Sequence, residues 1–422
     1  MNLQLVKTSA KAFGKVNISG SKSISNRIII IRELSGSICS VNNLSLSDDT
    51  QRLLFYINMI ATCGKSGIPM VIDANNAGTV SRFLSAFLIY REGTWLVTGN
   101  ERMKVRPIEG LVDGLQMLNA QITYPDKKGY LPIRIIGSDI IGGHIEVDVT
   151  KSSQFISAIM MIGPYLYEGL KISFKGKPVS IPYIEMTQKL MQKFGAYVEL
   201  NDEGVHILHG KYKFHPCSVE SDWSSASYWY ETVALADNAE IQIPGLAKNS
   251  LQGDSVLVNI YEQLGVTTRF EGDGITLIKT KNITDKFSYD FEGCPDIVPA
   301  VMATCAALGI KSVFKNIGHL AFKESNRIKA LALELKKVGA SLKKNKNSYT
   351  LTTGTFEPDN SLVFRTHGDH RIAMCLAPLV LKYNNIEICS PNVVNKSYPE
   401  FWDELKKLNF ATLKKSYEPI GS

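Results

Sequence analysis

The sequence predicts a mixed α/β (α+β) protein assembled from six copies of one multi-element βα block, and three observations predict it. The first is a recurring pattern in which apolar residues at helical spacing stop at Gly or Asn and strand formers follow directly. The second is its period. The stops fall at residues 64, 119, 195, 265, 339 and 409, so successive spacings are 55, 76, 70, 74 and 70 residues. That period is too long for ankyrin or TPR arrays, so each repeat holds several strands and helices. The third is composition: 422 residues with 44% hydrophobic and 21% charged side chains are globular, which excludes disorder, collagen and coiled coil. At roughly 100 to 200 residues per domain the length favours two or three domains.

Along the chain, a strand-like run over residues 15–19 leads into Gly20 and an apolar helix around Ile28, Ile29, Ile30 and Ile31. The block that stops at Gly64 is short and is expected to have lost strand or loop material. Weak stops at Asn119 and Asn409 close two further blocks. In residues 183–200, Ile184, Thr187, Met191 and Phe194 keep helical spacing, Gly195 stops the helix, and Tyr197 and Val198 begin a strand. Val256, Leu257, Ile260 and Leu264 repeat this before Gly265 and a strand over 266–270. Ile328, Leu331, Leu335 and Val338 do so before Gly339, Ser341 and Leu342. Pro and Gly punctuation at Gly110, Gly129, Pro132, Gly142, Gly143, Pro244 and Gly245 falls between blocks.

Lys and Arg exceed Asp and Glu by 47 − 40 = +7, which suits anionic ligands of either small-molecule or nucleic-acid type. Seven cysteines, at 39, 63, 217, 294, 305, 375 and 389, form no CxxC pair and are expected to be reduced core residues. His367 and His370 are close in sequence but lack a third ligand nearby, so no metal site is expected. No apolar run approaches the roughly 20 residues of a membrane span. The first eleven residues lack a signal-peptide pattern, and the expected address is cytoplasmic.

Several motifs place small polar residues and cations where helices begin, offering free amides and hydroxyls to an oxyanion. Gly20, Ser21, Lys22, Ser23, Ile24, Ser25, Asn26 and Arg27 come first. This stretch misses the GxxxxGK pattern of a nucleotide phosphate loop, so an ATP site is not expected, yet Lys22 and Arg27 face an anion. Asn76, Ala77, Gly78 and Thr79 follow with Arg82, then residues 102–108 with Arg106. Ser152, Ser153 and Gln154 open one helix, and Ser180, Ile181, Pro182 and Tyr183 another. The later half adds Pro295 and Asp296, then His319, Lys323, Glu324, Ser325, Asn326 and Arg327, then Gly368, Asp369, His370 and Arg371, and finally Lys396 with Ser397, Tyr398 and Pro399. Taken alone, Glu324 beside Lys323 and Arg327 reads as a solvated pair on a helix start.

In order and over essentially the whole chain these motifs resemble those of the 5-enolpyruvylshikimate-3-phosphate synthases: SKSxSNR at 21–27, Asp48 and Asp49, NAGT at 76–79, RMKxRPI at 102–108, SSQF at 152–155, SxPY at 180–183, SSASY at 224–228, LQGDS at 251–255, PD at 295–296, KExxR at 323–327, DHRIAM at 369–374 and KSYP at 396–399. The resemblance implies the two-domain enolpyruvyl transferase fold with three βαβαββ units per domain, six in all. It implies one domain from 1–19 plus 224–422, a second from 20–223 on the shikimate 3-phosphate side, and an active site in the cleft between them. Phe83 departs from the Pro usual after NAGTxxR, Asn326 from the Asp common in KExDR, and His319 from an Asn found in some members. The stretch between Asp49 and Asn76 is short.

The implied reaction moves the carboxyvinyl group of phosphoenolpyruvate to the 5-hydroxyl of shikimate 3-phosphate and releases phosphate, a step of the shikimate pathway of aromatic amino acid biosynthesis. It needs no metal or organic cofactor. Roughly five to six negative charges enter one site, and Lys22, Arg27, Arg106, Lys323, Arg327, Arg371 and Lys396 answer them. By resemblance, shikimate 3-phosphate meets Lys22, Ser23, Arg27, Ser152, Ser153, Gln154, Ser180, Tyr183, Asp296, His319 and Lys323. Phosphoenolpyruvate meets Lys22, Gly78, Arg106, Gln154, Arg327, Arg371 and Lys396. Asp296 is assigned to the 5-hydroxyl and Glu324 to the enol methylene, with Lys22 polarising the bridging oxygen, because two carboxyls in unlike surroundings can divide acid and base work. Glyphosate is expected to compete with phosphoenolpyruvate. The chain is expected to act as a monomer on small molecules, without nucleic acid or membrane. The nearest alternative, UDP-N-acetylglucosamine enolpyruvyl transferase, pairs its lysine with asparagine and uses a loop cysteine; here Ser23 follows Lys22, and no cysteine occurs between Cys63 and Cys217. An RNA-binding protein would call for an RNP-like aromatic motif or basic run, which the sequence lacks.

Overall fold

Five blocks each close a four-stranded sheet in the computed structural model, which describes residues 2–62, 69–150, 152–354 and 362–416. One order of elements recurs. Strand Met70–Asp73, helix Gly78–Leu88, strand Gly93–Thr98, helix Glu109–Met117 and the pair Gln121–Thr123 and Ile133–Gly137 form a βαβαββ block. Its first two strands run parallel, as a helical crossover requires, and the rest pair antiparallel. Strands Gly143–Asp148, Leu170–Lys175, Val198–Asn201 and Gly204–Ile207 repeat the plan around helices Ser153–Ile162 and Ile181–Lys193. So do Lys286–Asp290, Lys311–Lys315, Ala340–Lys344 and Ser348–Thr353 around Val298–Ala307 and Arg327–Lys336.

Two blocks take a strand from the start of the chain. Lys11–Lys15 lies parallel to Asn238–Pro244 in the sheet completed by Gly274–Ile283 and Leu264–Glu271. Asn2–Lys7 lies antiparallel to both Asn385–Cys389 and Ala411–Ser416. The sixth block is the short one. Around helices Lys22–Ser35 and Asp48–Thr62 its sheet has two strands, Val41–Asn42 and Cys217–Ser218, and among the described residues no hairpin follows the second helix.

The stops have a backbone cause. Asn119, Gly195, Gly265, Gly339 and Asn409 all have φ between +53° and +87°, the left-handed turn that ends a helix and that Gly and Asn enter at least cost. Gly64 lies outside the described residues. Two local expectations need correction. The strand placed over 15–19 is Lys11–Lys15, after which Val16 gives one more bond to the Gln242 carbonyl. Leu264 belongs to the strand Leu264–Glu271 rather than to the helix Leu257–Glu262, because Gly265 forms a bulge at the strand start.

By contacts the chain divides into two units, Lys22–Val219 and Met1–Ser21 with Glu220–Ser422. In the first, helices Lys22–Ser35, Gly78–Leu88 and Ser153–Ile162 pack on one another. In the second, Trp223–Leu235, Val298–Ala307 and His370–Leu376 do the same. These are the leading helices of their blocks, and Gly78–Leu88, Trp223–Leu235 and His370–Leu376 are buried at every residue. A helix buried on every face belongs at the centre of a unit. None of the described cysteines is in a disulfide; Cys294, Cys305 and Cys375 are buried, as expected, whereas Cys39, Cys217 and Cys389 are only half-buried. Cys63 lies outside the described residues. No helix is long and apolar enough to cross a membrane among the described residues.

Candidate active site

The motif residues gather at helix N-termini, where unpaired amides and the helix dipole favour anions. In unit Lys22–Val219 the central feature is Arg27. Its side chain is 1% exposed, and its hydrogen-bond partners are all uncharged. Nε donates to Thr187 Oγ1 at 2.6 Å, Nη1 to the Ser23 carbonyl at 2.9 Å, and Nη2 to Ser157 Oγ at 3.0 Å and the Tyr183 carbonyl at 3.2 Å. Phe83, the departure from the family Pro, is fully buried with its ring centre 5.3 Å from the guanidinium carbon, a cation–π contact. Burial lowers the Arg27 pKa to about 10. These bonds occupy four of five N–H groups and leave one Nη1 hydrogen for an anion.

A second buried guanidinium lies near Gly78. Arg106 is 5% exposed, its Nη1 reaches the Asn76 carbonyl at 3.3 Å and Asn76 Oδ1 at 3.4 Å, and its Nε has no partner. A Cβ on Gly78 would come within 2.5 Å of Arg82 Nη1, 3.0 Å of Arg106 Nη2 and 3.1 Å of Gln154 Oε1. Gly78, Arg82, Arg106 and Gln154 therefore meet at one point, with Arg82 Nη1 donating to Gln154 Oε1 at 2.6 Å. Lys22 is held by Asp49, Nζ to Oδ2 at 3.1 Å. Asn26 donates to Thr79 Oγ1 and accepts from Thr50 Oγ1, both at 2.8 Å, which fastens three helix starts together. Ser152 caps helix Ser153–Ile162 through the Gln154 amide at 3.3 Å. Ser180 precedes helix Ile181–Lys193 with φ of +56°.

The other unit carries a denser charge network. Arg327, 1% exposed, binds three carboxylates: Nη1 to Asp296 Oδ1 at 3.0 Å, Nη2 to Glu324 Oε2 at 2.8 Å and Nε to Asp369 Oδ2 at 2.9 Å. With Arg327 buried and Glu324 only 12% exposed, this is not the solvated pair that its spacing alone suggests. Arg371 Nη2 takes Asp296 Oδ2 at 2.9 Å, and its Nη1 donates to the Asp296 carbonyl at 3.2 Å. Burial pushes the Asp296 pKa up, but Arg371, Lys323 and Arg327 outweigh it and hold the carboxyl well below the usual range. Asp296 is an anion.

His319 lies in the turn Gly318–Phe322, and burial, then the charge of Lys323, lowers its pKa to about 4. The ring is neutral at pH 7, and its buried Nε2 has no protein partner. Asn326, the second departure, caps helix Arg327–Lys336 through the Lys329 amide at 3.1 Å, work that Asp would do equally. The turn Pro391–Lys396, which carries Lys396, packs on helix His370–Leu376, which carries Arg371. His370 is buried and His367 binds Glu334 at 2.7 Å; no group of three or more metal-ligating side chains gathers among the described residues.

Contacts join Ser23, Arg27 and Tyr183, and Gly78, Arg106 and Gln154, in one unit, and Asp296, Glu324, Arg327 and Arg371 in the other; five supporting residues are not among those the sequence singles out for the site. Asp369 ties Arg327, the Ser325 hydroxyl at 3.0 Å and the Arg371 amide at 3.0 Å together, and its place just before a helix was the available signal. Asp49 and Arg82 stood in quoted motifs without a role. Ser157 and Thr187, which hold Arg27, gave no sequence signal.

The family model described as EPSP synthase (3-phosphoshikimate 1-carboxyvinyltransferase) matches residues 6–405. A 3-phosphoshikimate 1-carboxyvinyltransferase of Bacteroides fragilis is 40% identical over 397 residues, 94% of this chain and 95% of that one. One from Colwellia psychrerythraea is 33% identical over 423 aligned residues, 94% and 97% of the two chains. Among solved structures, an EPSP synthase of Acinetobacter baumannii superposes with a TM-score of 0.76 at 21% identity, covering 98% of this chain and all of that chain, a likeness of fold.

Proposed function

The chain belongs to the EPSP synthase family, and from that premise we propose how its residues divide the work. The protein transfers the enolpyruvyl group of phosphoenolpyruvate to shikimate 3-phosphate, with release of phosphate. The observation that supports the division best is the contrast between buried guanidiniums: Arg27 bonds hydroxyls and carbonyls and Arg106 bonds Asn76, whereas Arg327 and Arg371 hold Asp296 as an anion.

Arg27, Ser23, Ser152, Ser153, Gln154, Ser180 and Tyr183 receive shikimate 3-phosphate, with Lys22, Asp296, His319 and Lys323 completing its contacts. Arg106, Gln154 and the space left by Gly78 receive phosphoenolpyruvate, joined by Lys22, Arg327, Arg371 and Lys396. Asp296, already ionised, accepts the proton of the attacking 5-hydroxyl. Glu324 gives a proton to the enol methylene and takes one back as phosphate leaves. In the ligand-free protein Arg327 favours the Glu324 anion; anionic substrate on Arg327 and Lys323 offsets that pull and raises the proton affinity of Glu324 at the moment of need. Lys22 polarises the bridging oxygen. The protein works as a cytoplasmic monomer. Phosphate release from phosphoenolpyruvate, measured with and without shikimate 3-phosphate and again with EDTA, tests this reading: release should require the acceptor and survive the chelator. Release without the acceptor would overturn it.

A further inference from the structure

Asp254 is a carboxyl that neither the proposed reaction nor any capping role uses. It sits in the turn Gly253–Val256, is 3% exposed, and accepts from the Ser224 hydroxyl through Oδ2 at 2.5 Å, while its buried Oδ1 has no protein partner. The groups around it include three charged side chains, Asp296, Arg371 and Asp222. Asp222 and Ser224 come from the start of helix Trp223–Leu235, Cys294 and Asp296 from the loop before Val298–Ala307, and Arg371 from helix His370–Leu376. Glu220 reaches the same turn through Gln252 at 3.0 Å. Helix Leu257–Glu262 buries only Leu257, Ile260 and Tyr261.

Arg371 therefore stands among three carboxyls, Asp296, Asp254 and Asp222. Asp296 takes its Nη2 at 2.9 Å and has Arg327 as well. Asp254 is left with a hydroxyl and a share of Arg371's field, which is poor compensation for a buried anion. We infer that Asp254 is a positioning residue which, by keeping or losing one proton, sets how much of the Arg371 charge remains for phosphoenolpyruvate. The inference rests on the assignment of Arg371 to that substrate. Burial, then the neighbouring Asp296, pushes the Asp254 pKa up to about 7, against Ser224 and Arg371, so the proton is gained and lost near neutral pH. With Asp254 neutral, Arg371 faces Asp296 and the substrate anion. With Asp254 ionised, a further negative charge sits beside Arg371 and the substrate is held less firmly.

The test compares KM for phosphoenolpyruvate from pH 6 to 8.5 in the wild type and in Asp254→Asn, which is neutral throughout. Ionisation of the substrate itself is common to both and cancels in the ratio. The wild-type KM should rise roughly 3- to 10-fold relative to the variant as pH passes 7, with kcat changing less. A protonated-carboxyl infrared band should titrate over the same range and be missing in Asp254→Asn. Should that variant fold poorly, Ser224→Ala serves instead: it removes a hydrogen bond to the anion, so the transition should move to higher pH. A wild-type-to-variant ratio that stays flat, or a transition unmoved by Ser224→Ala, overturns the inference. Arg371→Lys checks the premise separately, since an unchanged KM there would remove Arg371 from substrate binding whatever Asp254 does.

Discussion

Arg27 and Arg327 are equally buried, yet their surroundings are opposite. Arg27 is wrapped by hydroxyls, carbonyls and the Phe83 ring, and Arg327 by three carboxylates. A buried cation with neutral partners keeps much of its desolvation cost and gains most when an anion arrives. A cation already saturated with carboxylates gains little from one more, but it fixes those carboxylates in place and in their charged form. On the proposed division of work, one unit is built to receive charge, and the other to hold the carboxyls assigned to acid and base work in position.

The largest effect should come from the held groups. Asp296→Asn and Glu324→Gln each remove a proton-transfer group with little change of shape, so turnover should fall by at least ~10²-fold while both substrates still bind. Steady-state rates with equilibrium binding of each substrate would check this. Near wild-type turnover in either variant would take that residue out of the chemistry.

Next in size is a swap of the two arginines for methionine. Arg327→Met leaves the buried Asp369 and the largely shielded Glu324 without their cation and weakens the hold on Asp296, so unfolding stability should drop by about 3–5 kcal/mol. Arg27→Met should stay within about 1 kcal/mol of wild type, because the single Thr187 hydroxyl proton keeps an acceptor, Ser157 Oγ or the Tyr183 carbonyl, each at 2.8 Å. Its loss should instead appear in shikimate 3-phosphate affinity, by about 10²-fold, the value of a buried charge-assisted bond. Denaturant titration beside ligand binding separates the two. Equal stability losses would dissolve the contrast.

Gly78→Ala sharpens the receiving side. The new methyl meets side-chain ends that can shift, not backbone, so the fold should survive. Displacing the Arg82 guanidinium from 2.5 Å, and Arg106 and Gln154 by a few tenths of an ångström, should raise KM for phosphoenolpyruvate by about 10-fold, with a smaller change in kcat. A rise confined to shikimate 3-phosphate would place the wrong substrate at Gly78.

Much of this was legible in the residues because local chemistry controls it. A helix that passes straight into a strand needs a left-handed residue at the join, and Gly195, Gly339 and Asn409 advertise it. Cations and small polar residues at helix starts likewise mark an anion site wherever they occur. What could not be read was nonlocal. Nothing in Asn2–Lys7 says that it pairs with Asn385–Cys389, and the hydroxyls that hold Arg27 stand 130 and 160 residues away in sequence. Asp369 was visible as a helix cap, but that its carboxylate also grips Arg327 depends on two helices meeting. The shielding of the pair Glu324–Arg327 from water escaped the sequence for the same reason.

The smallest expected effect concerns His319 and the pH dependence of stability. Its pKa is lowered from an ordinary value of 6.5 to about 4 in the folded protein, by burial and then by Lys323. Between those values the unfolded chain binds a proton that the folded one does not, so stability should fall as pH drops from 6.5 toward 4 and be unaffected by this group above 6.5. His319→Asn keeps a polar side chain without the titration, and the slope over that window should flatten while stability at pH 8 changes little. Lys323 supplies part of the shift, so Lys323→Met should raise the folded-state histidine pKa, narrow the window from its acid end and shrink the stability lost across it, while the onset near 6.5 stays; proton chemical shifts of the ring would report the raised pKa directly. A slope that persists in His319→Asn would assign it to other groups, and the neutral ring would then be of no consequence for stability. A slope that flattens in both variants would tie the neutral ring to the charge of Lys323 as well as to burial, and so extend the charge control of the Asp296 unit to the histidine.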